Sequence, residues 1–214
     1  MFSENTRLHK PFRPILNTVV SFSKNDLVQD EPRGYLYYDK TTNRWIFCGL
    51  SQLNPDCYQN LVLLLESPHK DEYSNFSVPL RPAKGLTGTK INNKFGMKIN
   101  QNQGQCAKFK NKSIIYKVFL VNAIQYQTSC YNTLSKLNGY QQNWRVIRNC
   151  VFKKMWENQP SNLQQNLNDR ITSINPSVLI NCVTGGKNKY GLKNLVSQGL
   201  KRTPDFSLSH PSSW

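Results

Sequence analysis

Acidic side chains are rare in the middle of this chain, and that scarcity isolates the residues able to do chemistry. Between Cys57 and Trp156 the only carboxylates are Glu66, Asp71 and Glu72. Glu66 directly follows the apolar run LVLLL (61–65). A carboxylate at the end of a buried strand needs a partner or a purpose, because burying an isolated charge is costly. Asp71 and Glu72, beside Lys70, read as ordinary loop charges. His9 lies in an N-terminal arm and is given no role, whereas His69 and His210 each follow an apolar run. Imidazoles and a carboxylate at such positions suit hydrogen bonding or proton transfer near neutral pH. Metal binding would need further ligands at regular spacing, and none are visible, so no metal and no cofactor are expected. A nuclease would need clustered acids to hold its ions, which this chain lacks. Cys48, Cys57, Cys106, Cys130, Cys150 and Cys182 are scattered without a C-x-x-C pair, so reduced thiols are expected.

The elements that must position these residues can be read from apolar patterning. LVLLLE (61–66), IIYKVFLVNAI (114–124) and SVLINCV (177–183) are short continuous apolar runs, the pattern of strands buried on both faces. DFSLSH (205–210) is a weaker fourth. Helical stripes lie between them: Trp144, Ile147, Val151 and Met155; Leu163, Leu167, Ile171 and Ile174, stopped by Asn175-Pro176; and Leu192, Leu195, Val196 and Leu200. The alternation predicts an α/β fold around a central, mainly parallel four-stranded sheet. In such sheets ligands bind at the carboxyl ends of the strands. The residues there are polar in every case: ESPHKDEY (66–73), Asn122, TGGKNK (184–189) and His210 with its serines. Upstream, GYLYY (34–38) and RWIFCGL (44–50) flank a DKTTN turn, which predicts a β-hairpin. Residues 1–60 are therefore read as a small β-element packed on a main domain of residues 61–214. The segment from Lys70 to Lys112 shows little apolar periodicity and reads as a long functional or disordered loop. Within it Gly85 and Gly88, beside Thr87, Thr89 and Lys90, would let backbone approach a phosphate, although the Walker A spacing is absent.

The formal net charge is +16, and the excess is uneven. Nine basic residues and no acid lie between Arg81 and Lys117, and eleven basic residues from Val118 onward meet only Glu157, Asp169 and Asp205. A one-sided field of this kind attracts a polyanion, and nucleic acid is the expected partner. No apolar run approaches the roughly 18 residues of a membrane span. The N-terminal MFSENTRLHKPFRP has no apolar signal core. A cytoplasmic monomer without membrane contact is expected.

Three segments in order, LLLESPHK (63–70), FLVNAIQ (119–125) and SHPSSW (209–214), resemble the active-site motifs of the uracil-DNA glycosylase superfamily. That family carries GQDPYH or GEAPG after its first core strand, an Asn at the end of a second strand, and HPSPLS after the last. The connecting ITSINPSVLINCVTGG (171–186) is similar to the family's helix–Pro–strand–Gly passage. The resemblance implies a three-layer α/β/α domain that cleaves the N-glycosidic bond of a base flipped out of double-stranded DNA. It implies catalytic roles for Glu66 and His210, and base contacts from Ser67, Pro68, His69 and Asn122. His210 would hydrogen-bond the pyrimidine O2, and the Asn122 amide would read the base edge. Contacts to the DNA strand would fall to Lys84, Gly88, Thr89, Lys90, Lys187, Ser209, Ser212 and Ser213.

The departures from the pattern carry information too. Leu65 stands where the family has Gly, and Ser67 where GQDPYH has its water-activating Asp. His69 replaces the aromatic residue that blocks bulky C5 substituents. The cysteines of the iron–sulfur branch are absent, and no counterpart of the intercalating loop follows SHPSSW. A pocket without the C5 gatekeeper would accept a larger, modified pyrimidine. Some divergent members of the superfamily defend bacteria by excising glucosylated hydroxymethylcytosine from phage DNA, and the chain is read as one of that kind. The alternative is a non-catalytic nucleic-acid-binding module with the same fold.

Overall fold

The structure, a computed structural model, describes residues 27–74, 78–129, 131–158, 160–185 and 191–214. Its frame is a six-stranded sheet. The N-terminal hairpin consists of β1 (Glu31–Asp39) and β2 (Arg44–Gly49). β3 (Gln59–Leu65) follows, then a small two-stranded ribbon of β4 (Tyr73–Ser74) and β5 (Val78–Pro79). α1 (Leu86–Asn102) leads to β6 (Tyr116–Asn122). Next come α2 (Tyr131–Leu134), α3 (Tyr140–Asn158) and α4 (Pro160–Ile174). β7 (Val178–Asn181), α5 (Leu192–Gly199) and β8 (Phe206–Ser207) complete the order. Across the sheet the strands run β2-β1-β6-β3-β7-β8.

β6, β3, β7 and β8 are mutually parallel, so all four deliver their carboxyl ends to one edge. The hairpin does not sit on the core as a separate element. β1 pairs antiparallel with β6, extending the sheet to six strands. An open β6 edge would leave a row of unpaired backbone groups, and the hairpin closes it.

β3 is central, which explains its unbroken apolar run. Leu61, Leu63 and Leu65 pack toward Ile91, Phe95 and Ile99 of α1. Val62 and Leu64 pack on the opposite face with Phe152, Trp156, Leu167, Ile171 and Val196 from α3, α4 and α5. The two-residue alternation of a strand splits one run between two cores. α4 stops at Ile174, where Asn175 takes a left-handed φ of 48° before Pro176. Among the described residues no helix is long and apolar enough to cross a membrane.

The segment read as a long loop is the main correction. Its centre forms the 17-residue helix α1. Ile91, Phe95 and Ile99 recur every fourth residue, which aligns them on one face. They are buried, while Asn92, Asn93 and Met97 between them are exposed. Three apolar residues in a long polar stretch suffice because the sheet supplies the rest of the core.

Candidate active site

The carboxyl ends of the parallel strands surround a cavity of about 930 Å³. That volume lies toward the upper end of the range of small-molecule sites, about 300–1,000 Å³. Glu66, Ser67, Pro68 and His69 enter it from the end of β3, Asn122 from the end of β6, and Ser209, His210, Ser212 and Ser213 from the segment after β8. Two backbone bonds lock the first two loops together: Ala123 N–H donates to the Leu65 carbonyl at 2.9 Å, and Ile124 N–H to the Glu66 carbonyl at 3.0 Å. A second hollow, of about 650 Å³ between β2 and α1, is lined by no carboxylate, histidine or cysteine.

Glu66 is buried, and its partner is Arg148 of α3, with Nη1 2.6 Å from Oε1. Thr184 N–H, after β7, donates to Oε2 at 3.2 Å. The guanidinium also holds the Asn149 side chain and lies 5.4 Å from the centre of the Trp144 ring. Ser67 is engaged as well, its hydroxyl 2.7 Å from that of Thr128. Pro68 is buried. His69 turns onto the rim, where Nδ1 accepts from Asp71 N–H at 3.5 Å and lies 3.3 Å from the Asp71 carboxylate. Burial, only partly opposed by Asp71, holds the His69 imidazole below its ordinary pKa.

His210 opens a short 3-10 turn, Pro211–Ser213. Its Nδ1 accepts from Ser212 N–H at 3.3 Å and lies 2.8 Å from the Ser212 hydroxyl. With Nδ1 occupied as an acceptor, the neutral ring carries its proton on Nε2. Burial lowers the His210 pKa; Glu66 opposes that shift, while Arg148, Lys193 and His69 reinforce it. The ring is therefore a neutral donor at pH 7. Trp214 anchors this turn: its ring stacks on Phe95 of α1 at 6.1 Å, its indole N–H donates to the Ser209 carbonyl at 2.9 Å, and Lys90 donates to its carbonyl oxygen at 2.8 Å.

Asn122 is 1% exposed, and neither atom of its amide has a hydrogen-bond partner. Beside it lies Glu72, 4% exposed, which the sequence reading set aside as a loop charge. Glu72 ends the 3-10 turn Lys70–Glu72, and its Oε1 accepts from His69 N–H at 3.1 Å in a capping box. Its Oε2 has no partner. Burial pushes the carboxyl pKa up to about 7, although the His69 and Ala83 N–H groups and the nearby Asn122 amide favour ionisation. The amide is close enough to act on the carboxyl but falls short of hydrogen-bond geometry.

Of the remaining positions expected to touch DNA, Lys84 and Thr89 are exposed near the N-terminal end of α1, outside the cavity lining. Lys90 is tied to Trp214. Gly88 is buried, and a Cβ there would come within 1.7 Å of the Ala83 carbonyl oxygen. Its smallness serves that packing. Lys187 lies outside the described residues. The cavity also takes in Arg145, Arg148 and Lys193, which the sequence reading did not single out, together with Trp144, read only as part of a helical stripe, and Thr184 of the TGGKNK segment. Arg148 left a signal: it falls four residues after Trp144, on the inward stripe of α3, where a charge is out of place. Glu72 left one as well, in the spacing of a capping box after His69.

Among the described residues no group of three or more His, Cys, Asp or Glu side chains is arranged to hold a metal ion. The chain matches no family model, no curated protein and no solved structure.

Proposed function

We propose that this chain is a DNA glycosylase that hydrolyses the N-glycosidic bond of a flipped, modified pyrimidine and leaves an abasic site. In this reading the helices on the two sheet faces form the three-layer α/β/α arrangement of the uracil-DNA glycosylases. The observation that carries it is the convergence of Glu66, Asn122 and His210, from three different strand ends, on one cavity.

Cleavage sends the bonding electron pair to the departing base and leaves cationic character on the sugar, to which water adds with loss of a proton. A neutral His210 donating from Nε2 stabilises the charge developing on the base, and loss of one such donor costs about 100- to 1,000-fold. Glu66 faces the other charge. Arg148 and the Thr184 N–H hold it fixed, so it stabilises the sugar cation and orients water. The cavity exceeds the needs of a plain pyrimidine, and His69 lies on its rim rather than across it. Both features favour a base with a bulky C5 substituent, such as a glucosylated hydroxymethylcytosine of phage DNA. The +16 net charge suits the grip on the duplex that extrusion requires.

The test is incubation with DNA carrying a panel of modified bases, with mass spectrometry of what is released and alkali cleavage at abasic sites. Release of a modified pyrimidine, reduced about 100-fold or more by His210→Ala or Glu66→Gln, is the expected result. Release of uracil alone would sink the modified-base substrate.

One observation favours a second reading, a non-catalytic nucleic-acid-binding module. Two polar side chains of the first motif are already engaged, Glu66 by Arg148 and Ser67 by Thr128. Salt-sensitive DNA binding without release of any base would decide for it.

A further inference from the structure

Three buried polar atoms without partners belong to two side chains that line the cavity: Oε2 of Glu72, and Oδ1 and Nδ2 of Asn122. Buried polar groups are normally hydrogen-bonded, and each exception asks for an explanation. Two such side chains, adjacent and lining one cavity, are explained together by a ligand whose polar edge completes them. The rest of Glu72 is accounted for, because Oε1 holds the His69 N–H and so closes the capping box. The turn thus fixes the carboxyl in place and leaves one oxygen over.

We infer that Glu72 and Asn122 together read the Watson–Crick edge of the extruded base, and that Glu72 selects pyrimidines with a 4-amino group over those with a 4-oxo group. The Asn122 amide cannot make that choice, since rotation of its end exchanges donor and acceptor. It pairs equally with the N3–H and O4 of a uracil-type ring or with the N4–H and N3 of a cytosine-type ring. Above its pKa of about 7 the Glu72 carboxyl is ionised, and its oxygens only accept. Against a cytosine-type edge, Asn122 Oδ1 accepts one N4–H and Nδ2 donates to N3, while Glu72 Oε2 accepts the other N4–H, and the three orphaned atoms are satisfied. Against a uracil-type edge the amide takes both positions, and Glu72 is left buried and unpaired beside O4. Sites that leave their own buried polar groups unpaired reject the wrong ligand strongly.

The inference rests on the base-excision reading only in assuming that an extruded base occupies the cavity. Its test is therefore a binding measurement on the intact chain, at a pH above the Glu72 pKa of about 7 and independent of bond cleavage. Two duplexes would carry 2′-fluoro-5-methylcytidine or 2′-fluoro-5-methyluridine at one position, differing only in the C4 substituent and the N3 proton that goes with it. The electron-withdrawing fluorine disfavours the sugar cation and prevents release. Binding about tenfold or more tighter to the amino duplex is expected, in line with one good base-edge contact. In Glu72→Gln, whose amide presents either a donor or an acceptor, the ratio should fall to within about twofold, or invert. A wild-type ratio near one, or one favouring the uridine duplex, overturns the inference whether or not the variant folds. An amino preference that survives unchanged in a folded Glu72→Gln overturns it as well. Absence of base release from cleavable DNA counts against the glycosylase reading alone, because the binding ratio still decides this one.

Discussion

Glu66 and Glu72 lie six positions apart and meet opposite electrostatic fates. Glu66 forms an ion pair with Arg148 in which both side chains are largely buried. Removing one partner of such a pair strands the other charge. Arg148→Met should therefore lose about 3–5 kcal/mol of stability, and adding Glu66→Gln should recover most of it. Urea denaturation of the four proteins in that cycle measures the coupling, and a loss below about 1 kcal/mol would mean that solvent screens the pair. Glu72 has no cation, and burial raises its pKa from 4.5 to about 7. The folded carboxyl therefore holds its proton more tightly than the unfolded one. Its contribution favours folding below the unfolded pKa and is lost as pH rises through about 7, a change of up to about 3 kcal/mol. Glu72→Gln does not titrate, so its melting temperature should gain on the wild type between about pH 5 and pH 8. Calorimetry across that range checks the sign, and a difference constant with pH would refute it. His210 titrates in the opposite sense, its folded pKa being lowered, but it is common to both proteins and cancels in the comparison.

The strands deliver the candidate residues, but a clamp on α1 holds one of them. Trp214, 6% exposed, stacks on Phe95 and ties the His210 turn to that helix, with Lys90 as a second tether. Trp214→Ala should cost about 3–5 kcal/mol, the usual penalty for emptying a large aromatic site. On the glycosylase proposal it should also depress base release under conditions where the variant is still folded, because small misplacement of the proposed donor can cost about 100-fold. Trp214→Phe, which keeps the stack and loses the N–H bond to Ser209, should restore much of both. Denaturation and single-turnover release, measured on the same samples, separate the two effects. Unchanged release from a destabilised Trp214→Ala would show that the turn holds its shape without the clamp.

Charge acts at the scale of the whole molecule. With a net +16 and Arg145 and Lys193 on the cavity lining, long-range attraction would bring the proposed polyanion toward the mouth. If six to ten phosphates are engaged, affinity should fall about 10³–10⁵-fold between about 50 and 200 mM salt. Arg145→Ala and Lys84→Ala should each reduce the slope of log K against log salt by about 0.9 for every phosphate contact removed. Fluorescence anisotropy over a salt series gives the slope, and a flat response would remove phosphate contact as the source of affinity.

Apolar continuity made the three inner parallel strands, β3, β6 and β7, and the helices behind them legible, because burial on both faces requires unbroken hydrophobic runs whatever the rest of the chain does. The same logic put ESPH, Asn122 and SHPSS at one sheet edge, since parallel strands share an orientation. α1 was hidden because its three buried residues are diluted by Asn, Gln and Lys, and its helicity is completed by packing against β2 and β3. The hairpin's place at the β6 edge also had no local signature, because edge pairing depends on which strand is left open. Thus the sequence by itself determined the class of fold and which loops meet. The tertiary structure alone decided that Glu66 is paired with Arg148, that Ser67 is engaged by Thr128, and that Glu72 stands buried and incomplete beside Asn122. Charge and hydrogen-bonding state depend on neighbours distant in sequence and on exclusion of water, and neither exists until the chain has folded.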